Sequence, residues 1–183
     1  KFNYTRCNDQ YFWRVPVQKD KAIFKEGSKT DHEDNMASYS YGSKELWYIH
    51  SIETKNYIAE FTYSDRDDAV GSQGENGGVS AYPRQRMKKL DKIELYTRAS
   101  RLEDNAVPIK TVHFVYDYSL CGKVPNNISG GGKLALKRLW FQYGSSEKGS
   151  RNPYLFSYSS FNPDYHRKKL DRWGNYIDSG DGD

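Results

Sequence analysis

Apolar and polar positions alternate with a period of two over much of this chain, which is the spacing of a half-buried β-strand and not of a helix. Tyr57, Ala59, Phe61 and Tyr63 fall on one side of such a strand, with Glu60 and Thr62 on the other. Val112, Phe114, Tyr116 and Tyr118 behave alike, as do Tyr154, Phe156 and Tyr158. The pattern predicts strands over residues 11–17, 21–25, 46–54, 57–64, 90–98, 109–118, 134–144 and 154–159, each rich in Tyr, Phe, Trp, Ile or Val and bounded by Gly, Asn, Ser or Pro.

Two-residue polar links, Lys19-Asp20 and Lys55-Asn56, read as tight hairpin turns. Residues 26–44 and 65–89 read as long polar connections, the second holding Gly71, Gly74, Gly77 and Gly78. Residues 163–170 offer at most one short helical turn. The tail 178–183 has no apolar residue to bury and is expected to be mobile, which leaves residues 1–177 as the structured section.

An internal repeat organises these strands. A strand of the form apolar-x-x-apolar is followed by a strand carrying Phe-x-Tyr, three times over. Ile49 and Ile52 precede Phe61 and Tyr63; Leu90 and Ile93 precede Phe114 and Tyr116; Leu136 and Leu139 precede Phe156 and Tyr158. Each unit reads as a hairpin with one aromatic face. A lone hairpin is marginal in water, whereas several laid edge to edge make a sheet.

These residues carry a family resemblance. The hairpin of residues 45–54 with 58–63 and Asp65-Arg66-Asp67-Asp68 resembles those of RHS/YD-repeat proteins and the β-shells of insecticidal toxin-complex B and C components. Residues 133–144 with 152–158 resemble them too. Residues 109–121 and the closing 171–176 are similar to the large secreted branch of the family, including wall-associated-protein-like members exported by type IX secretion. The opening Tyr11–Val15 and Ala22–Phe24 fit the hairpin before these, so the resemblance covers about residues 10–177. One departure is clear: Tyr116-Asp117 is the sole Tyr-Asp dipeptide, so the segment is similar to the irregular part preceding the regular repeats. The resemblance implies an all-β section of successive antiparallel hairpins forming a curved sheet or shell. It also implies a secreted or cell-surface location and a toxin or effector segment enclosed or presented elsewhere in a longer chain. The partners implied are the rest of that chain, an effector cargo and outer-membrane secretion machinery. The absence of Met at Lys1 agrees with a piece of a longer protein.

Composition sharpens this. Leu, Ile, Val and Phe make up about 19% of the 183 residues, at the lower edge for a globular core, yet 16 Tyr and 4 Trp raise the aromatic share to 15%. The mean hydropathy is −0.95. The combination predicts a one-layer sheet whose aromatic face needs a partner. No apolar run is long enough for a membrane-spanning helix.

Catalytic and metal chemistry find little support. His32, His50, His113 and His166 show no metal-ligand spacing, and a structural or cross-strand role is expected for His50 and His113. Asp65, Asp67 and Asp68, with Glu75 beyond, do not match a calcium loop and read as a solvated turn; Asp178, Asp181 and Asp183 fall in the tail. Gly130-Gly131-Gly132-Lys133 fails the phosphate-loop pattern at Asn127 and Leu134. Cys7 and Cys121 are compatible with a disulfide or with two free thiols, and no nucleophile elbow occurs. The basic runs 84–89 and 166–169 accompany a net charge of only +4, so nucleic acid is not an expected partner. The expectation is a non-enzymatic wall section without cofactor. The alternative from another class is a secreted β-sandwich carbohydrate-binding module that stacks sugars on Trp47, Trp140 and Trp173.

Overall fold

The computed structural model describes residues 1–15, 17, 39–82, 85–166 and 176. Seven antiparallel strands lie side by side in sequence order in one open sheet. They are β1 (Phe2–Val15), β2 (Ser40–Glu53), β3 (Tyr57–Val70), β4 (Arg86–Thr97), β5 (Lys110–Leu120), β6 (Lys133–Tyr143) and β7 (Tyr154–Leu155). The all-β architecture of successive hairpins is the one expected. The turn at Lys55-Asn56 joins β2 to β3, closed by the Thr54 amide donating to the Tyr57 carbonyl at 2.9 Å.

Several boundaries differ from the alternation pattern. β1 starts at Phe2, β2 at Ser40 and β4 at Arg86, and β3 continues to Val70. These polar extensions are strand because an antiparallel neighbour satisfies their backbone whatever the side chains are. Asp65 faces Lys88, for example, and the two form an ion pair at 2.6 Å. β7 is shorter than the expected 154–159. Residues 163–166 hold no helix; the Tyr165 amide instead donates to the Gly122 carbonyl at 2.7 Å. The expected strand 21–25 with its turn at Lys19-Asp20, and the tail 178–183, lie outside the described residues.

Pairing alternates between long and short. β1–β2 is paired from Phe2–Ile52 to Val15–Ser40, β3–β4 from Tyr57–Thr97 to Val70–Arg86, and β5–β6 from Lys110–Tyr143 to Leu120–Lys133. Between these pairs, β2–β3 shares three register partners, β4–β5 four and β6–β7 two. Beyond those few residues the neighbouring strands part.

The registers make the sheet two-sided. Phe61, Ile93, Val112 and Phe141 stand in one row across β3, β4, β5 and β6. The next residues along, on the opposite face, form the row Asn3, Ser51, Glu60, Glu94, Thr111 and Gln142 across six strands. One face is therefore mainly aromatic and aliphatic and the other mainly polar, with Ile58, Tyr96 and Trp140 among the residues on the second. The residues of the apolar row are half-buried.

Full burial concentrates instead at the end where the long connections run. Tyr11, Ala69, Val70, Ser72, Val124, Asn127 and Ala135 are buried there. Each connection is bonded to a strand of the preceding pair. The Ser72 amide donates to the Phe12 carbonyl of β1 and the Gly78 amide to the Val17 carbonyl just beyond β1, both at 2.8 Å. The Ile128 amide donates to the Asp67 carbonyl at 3.1 Å, and the Val70 amide to the Asn126 carbonyl at 3.4 Å. After β7, the Tyr165–Gly122 bond repeats the arrangement, with the Cys121 amide donating to Asn162 Oδ1 at 3.1 Å. Gly132 is required in this packing, since a Cβ there would overlap the Leu120 carbonyl.

Candidate functional site

The residues singled out by the repeat meet across the long joints. Phe61 stands opposite Ile93, and Tyr63 opposite Leu90. Phe114 stands opposite Leu139, and Tyr116 opposite Leu136. The Phe-x-Tyr of one unit thus packs against the apolar-x-x-apolar of the next, while the connection within a unit is the short joint. The geometry explains the unequal spacings. Two aromatics separated by one residue face two aliphatics separated by two, so one strand carries an extra residue. It is accommodated as a β-bulge, between Thr62 and Tyr63 in the first case and between Val115 and Tyr116 in the second. The bulge is what puts both aliphatic residues on the aromatic face, because in a regular strand residues three apart point to opposite sides.

A fourth such motif escapes the alternation pattern. Phe2 stands opposite Ile52 and Tyr4 opposite Ile49, with a register shift between Asn3 and Tyr4. Phe2-Asn3-Tyr4 has the Phe-x-Tyr spacing, the signal by which it is found. It lies upstream of the densest apolar stretch, in a run of polar residues. The first joint is the most open of the three, with Phe2 and Tyr4 exposed. Phe156 and Tyr158 complete the set. The Phe156 amide donates to the Lys137 carbonyl at 3.0 Å and the Tyr158 hydroxyl to the Leu136 carbonyl at 2.7 Å. Both bonds belong to the short joint with β6, and no strand among the described residues pairs with their other side.

Asp68 corrects the reading of a solvated acidic turn. It sits at the far end of β3, 1% exposed, and accepts two hydrogen bonds from Arg66, Nε at 3.0 Å and Nη2 at 2.8 Å. A third comes from the Leu134 amide of β6 at 2.9 Å. Burial alone would raise its pKa, but the Arg66 and Leu134 bonds outweigh that and hold it below the ordinary carboxylate range. This carboxylate ties the second strand pair to the third. Nearby Tyr11, buried, donates to the Ala69 carbonyl at 3.3 Å. Burial, partly offset by Arg66, pushes its phenol up to about 12.

The other sequence candidates are dispersed. His113 stacks on Trp140 with centroids 4.0 Å apart and planes 9° from parallel, and its Nε2 bonds Gln142 Oε1 at 2.9 Å. His50 is exposed, at the bulge facing Tyr4. His166 is exposed, and His32 lies outside the described residues. Trp47 is half exposed beside the Arg6 guanidinium, its indole donating to Glu45 Oε2 at 2.9 Å. The register places Trp47 on the face of Ile49 and Tyr4 and Trp140 on the opposite face, so the two do not form one platform; Trp173 lies outside the described residues. Cys7 and Cys121 are free thiols, both half-buried. Among the described residues, no three or more His, Cys, Asp or Glu side chains gather as metal ligands. Comparison with protein-family models, with curated proteins and with solved structures finds no match.

Proposed function

We infer that this chain is a structural wall section. In this reading it is a length of amphipathic sheet from a secreted or cell-surface RHS-type shell, whose apolar face packs on further wall or on an effector cargo. The work is done by packing and pairing, with no chemistry at any one residue. One observation carries the reading. The row Phe61, Ile93, Val112 and Phe141 crosses four strands half-buried, and no second layer covers it among the described residues. A sheet with one apolar and one polar face gains its stability when the apolar side meets another layer. The alternation of long and short joints adds support, because it lets the same unit be added repeatedly in one direction, as in other repeat architectures. The rest of a longer chain, an effector cargo and a secretion channel are the partners this reading calls for.

The test is the intact mass of the native polypeptide in its source, followed by a low-resolution envelope. A polypeptide several times longer, with a hollow envelope, is the expected result. A native polypeptide of about this length, monomeric and melting cooperatively, overturns the reading.

A further inference from the structure

β7 lacks, among the described residues, the joint that every other Phe-x-Tyr strand has. β1, β3 and β5 each pair through a long joint with an apolar-x-x-apolar strand, and that joint sets most of their length: 14, 14 and 11 residues. Among the described residues β7 has only its short joint with β6, and it is two residues long. That is close to the three and four partners of the other short joints. The residues that would complete the long joint are exposed: Phe156 at 38% and Tyr158 at 47%, with Leu155 before them at 72%. Their equivalents Phe61, Tyr63, Phe114 and Tyr116 in the interior of the sheet are half-buried, while Phe2 and Tyr4 at the opposite edge are exposed although their long joint is paired.

We propose that the outer edge of β7, with Phe156 and Tyr158, is a strand-docking site for a further apolar-x-x-apolar strand of this same repeat, supplied from outside residues 1–183. The three closed joints define the occupant. It is antiparallel, places its second apolar residue opposite Phe156 and its first opposite Tyr158, and carries a bulge between them. Backbone hydrogen bonds supply the pairing and the two aliphatic contacts set the register, as in strand addition to a free sheet edge. The proposal deepens the wall reading and rests on it for the source of the strand.

The probe is a synthetic peptide with the sequence of residues 86–96, RMKKLDKIELY, titrated into the full 183-residue chain. Binding is expected, with amide hydrogen exchange slowed at Leu155 and Ser157, whose amides alternate with the β6-bonded Phe156 amide, and unchanged in β1. A peptide carrying Leu90→Asp and Ile93→Asp should bind at least about tenfold more weakly, since both register contacts are lost. Because that control alters the peptide alone, it does not depend on the folding of a protein variant. Phe156→Ala with Tyr158→Ala in the protein should weaken the original peptide by a similar factor. No binding, equal binding of the two peptides, or protection elsewhere in the sheet overturns the proposal. The chain also holds Leu170-Asp171-Arg172-Trp173, of the same pattern. Binding seen only after Leu170→Asp with Trp173→Asp would assign the edge to that segment and overturn the outside occupant. A failed titration beside a hollow envelope of the long native chain would remove the docking site and leave the wall reading standing.

Discussion

Phe114 with Tyr116 and Phe156 with Tyr158 are the same two residue types at the same spacing, in different neighbourhoods. The first pair faces Leu139 and Leu136 across a long joint and is half-buried. The second has β6 on one side, nothing described on the other, and is exposed. The motif therefore carries no fixed share of stability. What it contributes is decided by whether the aliphatic strand arrives, and by the cross-connection that follows it. Where both are present, the strand runs for 11 residues; where they are not, it runs for two.

The largest effect should come from cutting the tie that holds two closed pairs together. Asp68→Ala leaves the partly buried Arg66 guanidinium without its carboxylate and the Leu134 amide without its acceptor. We expect a loss of about 3–4 kcal/mol in urea unfolding. A loss under about 1 kcal/mol would mean that the buried end is not what distinguishes the closed joints. The same residue predicts an acid limb. Its folded pKa is depressed, so its contribution is complete above the unfolded value near about 4 and disappears as pH falls through the folded value. The acid limb should be reduced in Asp68→Ala, leaving the part carried by Glu53 and Asp117, whose carboxyls are also held low by their hydrogen bonds.

At the alkaline side the sign reverses. The Tyr11 phenol is raised from 10.0 to about 12 by burial, so the folded state holds its proton after the unfolded chain has lost it. Stability is complete below the unfolded value and falls as pH rises from there through the folded one. By the time both states are ionised the loss amounts to about 2–3 kcal/mol. Tyr63, Tyr116 and Tyr118, also raised chiefly by burial, push in the same direction. Melting curves across alkaline pH, with Tyr11→Phe as the control, check this. A Tyr11→Phe protein with an unchanged alkaline limb would move the effect from the buried end to the other tyrosines.

Phe114→Ala tests the closed joint itself. Removing a half-buried ring from between Val112, Tyr116 and the facing Leu139 should cost about 2 kcal/mol, below the value for a fully buried Phe. A change within about 0.5 kcal/mol would show that the ladder, and not the aromatic-aliphatic pair, holds the strands.

Much of this architecture is written in the alternation of side chains, and the missing parts have definite causes. The strand cores around Phe61, Phe114 and Leu139 announce themselves because period-two alternation is the imprint of a two-faced sheet. The polar ends, Ser40–Lys44 and Asp65–Asp68, do not, because their strand geometry comes from a partner's backbone far away in sequence. The spacing apolar-x-x-apolar is visible in the chain. Its meaning as a bulge appears only when it is set against the Phe-x-Tyr it faces, which belongs to the preceding unit. Asp68 reads as one acid in a polar run, since nothing local says that Arg66 and a β6 amide will enclose it. Phe2-Asn3-Tyr4 is hidden by its polar neighbours and recovered by register.

The smallest effect is the most discriminating. Phe156→Ala in the isolated chain should cost about 1 kcal/mol, less than Phe114→Ala, because the ring is 38% exposed and has no aliphatic residue described across its outer edge. Its backbone bond to Lys137 survives the substitution. Set beside about 2 kcal/mol for Phe114→Ala, that is about half the cost for an identical side-chain deletion in an equivalent place. The 86–96 peptide should narrow the gap: in its presence Phe156→Ala becomes costly, since the ring then packs against an aliphatic residue as Phe114 does. If Phe156→Ala costs as much as Phe114→Ala in the isolated chain, the joint at β7 is already closed, and the difference in exposure between the two motifs has no energetic counterpart.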